Sequence, residues 1–282
     1  MSRRTLMGSR ILITGASQGI GRALAELAVG QGAWVLAAAR SEDLLQDLAA
    51  KIPPRGGVLE TVEADITNEA DRAHIVEAAQ ERFGGLDVLV NNAGIGATGH
   101  FAEGDPGHLR AIMEVNFFGL AELTRACIPL LREGRHPAIV NVSSIAGKRG
   151  IPARSEYSAS KFAVQGLSDA LRAELAKDGI DVIVVCPGLT QTNFSRNMLA
   201  QRARLKMDHL RGMTAEAVAA ATLRALQRGK KEIVLTAQGR LVVFLSRFFP
   251  RLTDRIAARR VRALFRTEIA ARHQQPQDAV SV

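Results

Sequence analysis

Short unbroken apolar runs alternate along this chain with stretches whose apolar residues recur every three or four positions. The runs fall at residues 10–14, 33–38, 57–62, 86–91, 138–143, 181–186 and 232–235, and each predicts a strand. The stretches between them, at 20–31, 68–83, 106–132, 156–177 and 215–227, predict helices. A strand without polar alternation has both faces buried, as in a parallel sheet covered by helices on each side. The pattern predicts an α/β fold over residues 1–237: one doubly wound domain built on a seven-stranded, mostly parallel sheet. Beyond it, residues 238–270 predict a helical extension broken near Pro250, and residues 271–282 a loose tail with little that could pack.

Composition narrows the class. At 282 residues and 47% apolar, the chain can bury a large core. Its two cysteines, Cys127 and Cys186, are too few for a disulfide framework and predict free thiols in a reducing, cytoplasmic setting. The six histidines show no ligand-like spacing, so no metal is expected. No apolar run is long enough for a transmembrane helix. The charge is uneven: residues 1–200 carry 20 Lys+Arg against 22 Asp+Glu, and residues 201–282 carry 17 against 6. The basic character therefore belongs to the C-terminal region.

The first strand runs into Thr14-Gly15-Ala16-Ser17-Gln18-Gly19-Ile20-Gly21, after which a helix begins. Glycines at such a turn let backbone approach a pyrophosphate, whose charge the helix N-terminus favours. The spacing, Gly-x-x-x-Gly-x-Gly, resembles that of the short-chain dehydrogenase/reductase family, and the resemblance continues over roughly residues 9–235. Asp65-Ile66 after the third strand resembles the family's adenine contact. Asn91-Asn92-Ala93-Gly94 after the fourth resembles its Asn-Asn-Ala-Gly motif. Pro187-Gly188, followed by Thr192, resembles the segment that grips the nicotinamide carboxamide. The resemblance implies a Rossmann-type fold in which Gly15, Ser17, Gln18, Gly19, Ile20, Gly21, Asp65, Ile66, Asn92, Ala93, Gly94, Pro187, Gly188 and Thr192 hold the cofactor. It also implies a homodimer or homotetramer assembled through the helices near 106–132 and 156–177.

Cofactor choice rests on the second strand. It ends Ala38-Ala39-Arg40-Ser41, without the carboxylate that usually accepts the adenosine ribose hydroxyls. An arginine there can pair with a 2′-phosphate, so Arg40 and Ser41 point to NADP(H), with NAD(H) as a weaker cofactor.

Tyr157 and Lys161 stand four residues apart in a helical stretch, on one face. Tyr157 is the only tyrosine in the chain. A phenol titrates near 10 when unperturbed, and a neighbouring ammonium favours its phenolate. The family resemblance assigns Tyr157 as proton donor and gives Lys161 the nicotinamide ribose. It makes Ser144, with Ser143 as the weaker candidate, the hydrogen-bond donor to the substrate oxygen. Asn116 resembles the asparagine that supports a water in the family's proton relay.

The extension carries Phe244, Phe248 and Phe249. After Pro250 come arginines at 251, 255, 259, 262 and 266, which share about an 80° arc of a helical wheel. Two readings stay open: peripheral contact of 238–266 with an anionic membrane, or an apolar cover for the pocket or a subunit interface. No nucleic-acid motif accompanies the charge, and no nucleic-acid partner is expected. The loop at 189–213 should cover the substrate. It holds Phe194, Met198, Leu199 and Leu205 for a lipophilic carbonyl or alcohol, and Arg196, Arg202, Arg204, Lys206 and Arg211 for a 3-oxoacyl thioester. A nucleotide-sensing regulator on this fold would keep the glycine turn but usually lose Tyr157 or Lys161. A membrane scaffold with a vestigial body would not need the serine, tyrosine and lysine together.

Overall fold

The computed structural model describes residues 4–52, 56–203 and 212–266. The tail at 271–282, the last residues of the extension, and Arg204, Leu205, Lys206 and Arg211 of the substrate loop lie outside the described residues.

The alternating pattern folds as β1 (Arg10–Thr14), α1 (Gly19–Gly30), β2 (Trp34–Ala39), α2 (Glu42–Lys51), β3 (Val58–Glu63), α3 (Glu69–Phe83) and β4 (Val88–Asn91). The second half continues with α4 (Pro106–Met113), α5 (Leu120–Arg132), β5 (Ala138–Val142), α6 (Ser155–Glu174) and β6 (Asp181–Cys186). Two short strands, β7 (Thr190–Gln191) and β8 (Met213–Thr214), precede α7 (Ala215–Gln227), β9 (Glu232–Val234), α8 (Ala237–Phe248) and α9 (Pro250–Leu264).

The main sheet has seven strands in the order β3-β2-β1-β4-β5-β6-β9, and every pairing in it is parallel. Its unbroken apolar runs split by alternate residues. Ile11, Ile13, Val35, Val88, Val90, Val140 and Ile183 pack on the face that α1 and α7 cover, with Leu24, Val29 and Leu226. Leu12, Leu36, Leu89, Ile139 and Val182 pack on the opposite face with Ile75 of α3 and Leu123 and Leu131 of α5. Both faces are dry, which is why the strands show no polar alternation.

Three features depart from the sequence pattern. α2 was not foreseen: it reads as charged, and only Leu45 and Leu48 are buried. The single helix expected over 106–132 is α4 and α5 joined by a π-helical turn at Glu114–Gly119, with Asn116 inside it. Such turns insert a residue into a helix and are frequent at functional sites. Finally, β7 and β8 pair with each other and clamp the two ends of the 189–213 loop.

The strand order reverses between β1 and β4, which places a crevice at their C-terminal ends. A buried polar chain fixes the sheet to α6 beside that crevice. The Asn91 amide donates to Asn141 Oδ1 and Thr124 Oγ1 at 2.9 Å each, and the Asn141 amide donates to Ser168 Oγ at 2.9 Å.

After β9, α8 and α9 pack on each other and on the loops that follow β4 and β5. Gly239 lies so close to Ile145 that an added Cβ would come within 2.3 Å of its Cδ1. Arg149 pairs with Asp254 at 2.7 Å, and His100 meets Phe265 edge-on at 4.5 Å between ring centres. The outer surface of the pair keeps Leu241, Phe244, Phe248, Phe249, Leu252 and Ile256 exposed, Phe248 at 61%. No helix of the described residues is long and apolar enough to cross a membrane.

Candidate active site

A cleft of about 560 Å³ opens at the C-terminal ends of the strands. It is lined by Gly15, Ser17, Gln18, Gly19, Ile20, Arg40, Ser41, Asp65, Ile66, Asn92, Ala93, Gly94, Ser144, Tyr157, Lys161, Pro187, Gly188 and Thr192. Two residues expected to take part, Gly21 and Asn116, stand behind this wall.

At one end the first turn forms a cradle. Gly15 and Gly19 adopt φ of +63° and +57°, in the left-handed region that favours glycine. α1 starts there without a side-chain cap, whereas Asn68, Asp105, Thr214 and Thr236 cap α3, α4, α7 and α8. Its first N–H groups are therefore open to an anion at the positive end of the helix dipole. The Asn-Asn-Ala-Gly segment locks this turn from behind. Asn92 Nδ2 donates to the Thr14 carbonyl at 2.9 Å and the Gly15 carbonyl at 3.1 Å. Thr14 Oγ1 accepts from the Asn92 and Ala93 amides at 3.0 and 3.1 Å. A Cβ on Gly21 would come within 2.2 Å of the Gly15 carbonyl oxygen and 2.5 Å of Asn92 Nδ2. Gly21 thus makes room for the lock; it does not line the cleft.

Arg40 leaves the end of β2 with its side chain two-thirds exposed, 3.7 Å from Asp65 Oδ2. Ser41 caps α2 by position, yet its hydroxyl makes no capping bond. A guanidinium and a free hydroxyl side by side fit a phosphate ester. Asp65 turns its other oxygen to the Thr67 amide and hydroxyl. Cradle, uncapped helix start and phosphate-sized donor pair together fit a dinucleotide carrying a 2′-phosphate.

The other end of the cleft carries the titratable groups. Tyr157 and Lys161 are one turn apart on α6, and Lys161 Nζ lies 5.8 Å from the centre of the Tyr157 ring. Burial pushes the Tyr157 phenol above its ordinary value, opposed by the Ser144 hydroxyl and the Arg154 cation. Burial pulls Lys161 down to about 8. Its ammonium donates to the Val142 carbonyl at 2.9 Å. Ser144 Oγ accepts from the Ala146 amide at 3.0 Å, which leaves its own proton free to donate into the cleft. Ser143, by contrast, donates to the Lys161 carbonyl at 3.2 Å and is buried. Both serines line the cleft, and of the two only Ser143 has its hydroxyl proton committed to a backbone carbonyl.

Asn116 is fully buried, and its amide is taken up by protein. It accepts from the Ile95 amide at 2.8 Å and donates to the Ile95 carbonyl and to Ser160 Oγ at 2.9 Å each. Ser160 Oγ in turn donates to the Tyr157 carbonyl at 2.8 Å. The π-helical turn thereby grips the loop after β4 and the first turn of α6 together. Phe194, in the substrate loop, packs 5.7 Å from Tyr157 between ring centres. That loop also docks on the one after β4, through Thr98 with Ala200 and Arg202. Arg154, which the sequence did not single out, lines the same cleft ahead of Tyr157. Among the described residues no group of three or more His, Cys, Asp or Glu side chains could hold a metal.

The family model described as short chain dehydrogenase matches residues 9–203. The chain belongs to the short-chain dehydrogenase family. A Bos taurus protein named dehydrogenase/reductase SDR family member 7B is 37% identical over 265 residues, covering 89% of this chain and 81% of that one. The ketoacyl reductase HetN of Nostoc is 32% identical over 259 residues, covering 89% of each chain. An uncharacterised oxidoreductase of Bacillus subtilis, YxnA, is 33% identical over 95% of this chain and 76% of its own. Among solved structures, a short-chain dehydrogenase from Burkholderia cenocepacia in complex with NADP matches with a TM-score of 0.77. It is 30% identical, and the match covers 90% of this chain and 99% of that one. This short-chain dehydrogenase is accordingly an oxidoreductase.

Proposed function

We propose that the enzyme reduces a lipophilic carbonyl compound, or oxidises the matching secondary alcohol, with NADP(H) as its preferred cofactor. The observation that carries this reading is that Ser144, Tyr157 and Lys161 open into one cleft with the phosphate cradle at its far end. NADP(H), when bound, supplies or takes up the hydride. Gly15, Gly19 and the start of α1 would hold its pyrophosphate, Arg40 and Ser41 its 2′-phosphate, and Pro187, Gly188 and Thr192 its nicotinamide end. The complex of the Burkholderia relative with NADP supports the choice of cofactor.

In reduction, the neutral Tyr157 hydroxyl gives its proton to the carbonyl oxygen while the Ser144 hydroxyl donates a hydrogen bond to that oxygen. The Lys161 ammonium stabilises the phenolate left behind and returns a proton to it. Asn116 acts as a positioning residue, holding Ile95 and, through Ser160, the turn of α6 that carries Tyr157. Phe194 keeps water from the tyrosine. Screening NADPH oxidation against ketosteroids, long-chain ketones, aldehydes and 3-oxoacyl thioesters tests the reading; no oxidation with any class sinks it. The basic residues of the substrate loop and the ketoacyl reductase among the relatives favour a thioester as the second substrate reading.

We also propose a homodimer or homotetramer joined through α5 and α6, where Phe118, just before α5, and Phe162 stand half-exposed. A monomer in analytical ultracentrifugation at micromolar concentration contradicts it. The free, buried thiols of Cys127 and Cys186 fit a cytoplasmic protein. The outer surface of α8 and α9 fits peripheral contact with an anionic membrane: apolar side chains to enter the headgroup boundary, arginines to meet the phosphates. A second copy docked there by a twofold axis would bring the two arginine arcs together, and their repulsion argues for the lipid.

A further inference from the structure

Arg154 stands at the N-terminal boundary of α6, one turn ahead of Tyr157, and its side chain lines the active-site cleft. α6 runs from Arg154 past Tyr157 to Lys161. Arg154 also borders a smaller recess with Thr98 of the loop after β4 and with Ala200 and Arg202 of the substrate loop, which puts it on the substrate side of the tyrosine.

Its lack of a carboxylate partner among the described residues sets it apart. Arg4, Arg10, Arg22, Arg149 and Arg172, with side chains a quarter exposed or less, each meet a carboxylate at 2.6–3.0 Å. Arg154 is half-buried too, yet among the described residues no carboxylate lies within ion-pair distance of it. A cation withdrawn from water and left unpaired costs stability, and burial lowers its hold on its proton. Tyr157 supplies no counter-ion, because burial keeps its phenol protonated. Arg154 thus brings a planar donor pair to a cleft that Ile95, Leu189 and Phe194 also line, and it borders the smaller recess, whose Glu103, Asp105 and Glu156 make no ion pair with it. One cation in such surroundings matches one monoanion, and a carboxylate fits the guanidinium fork.

We propose that Arg154 binds a carboxylate on the substrate, so that the carbonyl compound reduced here is a lipophilic oxo acid. The proposal rests on the reductase reading above and names its substrate class. The remainder of the chain of such an acid would lie against Phe194 and the loop after β4, with its carbonyl oxygen between Ser144 and Tyr157.

The test compares oxo acids of short, medium and long chain with their methyl esters, on wild type, Arg154→Gln and Arg154→Lys. NADPH oxidation gives kcat/KM for each pair, and calorimetry on the NADP⁺-loaded protein gives binding without turnover. The expected result is that wild type prefers acid over ester by about 10–100-fold, the range of a charge-assisted hydrogen bond. Arg154→Gln should bring that ratio close to one, mainly through KM, and Arg154→Lys should restore part of it. The absence of an acid preference in wild type, in turnover and in binding alike, overturns the proposal. An equal loss for acid and ester in Arg154→Gln with a displaced pH profile also overturns it, because the arginine would then act on Tyr157. An acid preference seen by calorimetry but without NADPH oxidation by any pair supports Arg154 and counts against the reductase reading alone.

Discussion

On the sheet and its covering helices, arginines lie beside carboxylates: Arg10 on Asp87, Arg22 on Glu26 and Asp47, Arg82 on Glu60. Asp87 shows how completely such a charge can be met. Burial alone would raise its pKa, but the Arg10 side chain and the backbone amides of Arg10 and Arg135 hold it below the usual carboxylate range. Apolar residues there are buried on both faces of the sheet. On α8 and α9 the same residue types are left to solvent. Arg251, Arg255, Arg259 and Arg262 stand exposed along one stripe, and Phe244 and Phe248 stack on each other at 4.8 Å with half or more of their surface open. The contrast separates residues that hold this fold together from residues the fold leaves open to its surroundings. Arg154, half-buried in the cleft, shares with the second group only its lack of a carboxylate among the described residues.

The largest expected effect breaks the chemistry and leaves the fold. Tyr157→Phe should lower turnover by about 10³-fold or more while NADPH still binds, because the ring keeps its packing and loses only the acid; turnover near wild type would remove Tyr157 from the mechanism. Next comes the surface. Replacing Arg255, Arg259 and Arg262 together by alanine should weaken binding to anionic vesicles by roughly 1 kcal/mol per charge, an effect that added salt diminishes. Co-sedimentation reads it; a chain that stays in the supernatant as wild type returns α8 and α9 to the role of pocket cover or subunit interface. A chain ending at Gln238 should then lose stability or substrate affinity.

Inside the cleft, Arg40→Ala should shift the NADPH/NADH affinity ratio by about 1–2 kcal/mol toward NADH. Titration of both cofactors decides it, and an unchanged ratio rejects the role. Gly21→Ala should cost about 1–3 kcal/mol of stability through overpacking against Gly15 and Asn92, read from denaturant midpoints. The smallest effect is in pH. Lys161 must keep its proton to support the phenolate, and burial sets its pKa at about 8. Reduction should therefore hold level below that value and decline as pH rises through it; a profile flat to pH about 10, the ordinary lysine range, would show that Lys161 is not the group that titrates.

The strands were legible because burial on both faces leaves an unbroken apolar run, and the cleft residues were legible because their motifs follow those strands. What stayed hidden acts through space or against the pattern. α2 buries only Leu45 and Leu48 of its ten residues, too few to give a periodic signal. Asn92 announced itself as part of a motif, but its amide turns out to bind Thr14 and Gly15, some eighty positions away in sequence. Arg154 gave no signal, since an arginine before a helix reads as surface until the substrate loop folds over it. The π-helical turn was invisible for a different reason: residues 106–132 have a helical period throughout, and the extra residue sits among positions apolar enough for either kind of turn.

That extra residue makes length itself a coded quantity in this enzyme. Were the turn at Glu114–Gly119 to tighten to an ordinary α-helix with its residues all kept, everything before it would rotate by about 100° relative to everything after it. Either Ile112 or Leu123 would leave its core, or Asn116 would swing away from Ile95 and Ser160. No change of side chain could compensate, because the fault would lie in the count. Substitutions along this helix can be graded by size and polarity, whereas a residue added in α4 or α5, where no wide turn absorbs it, shifts the frame on which the loop after β4 and the helix of the tyrosine are hung.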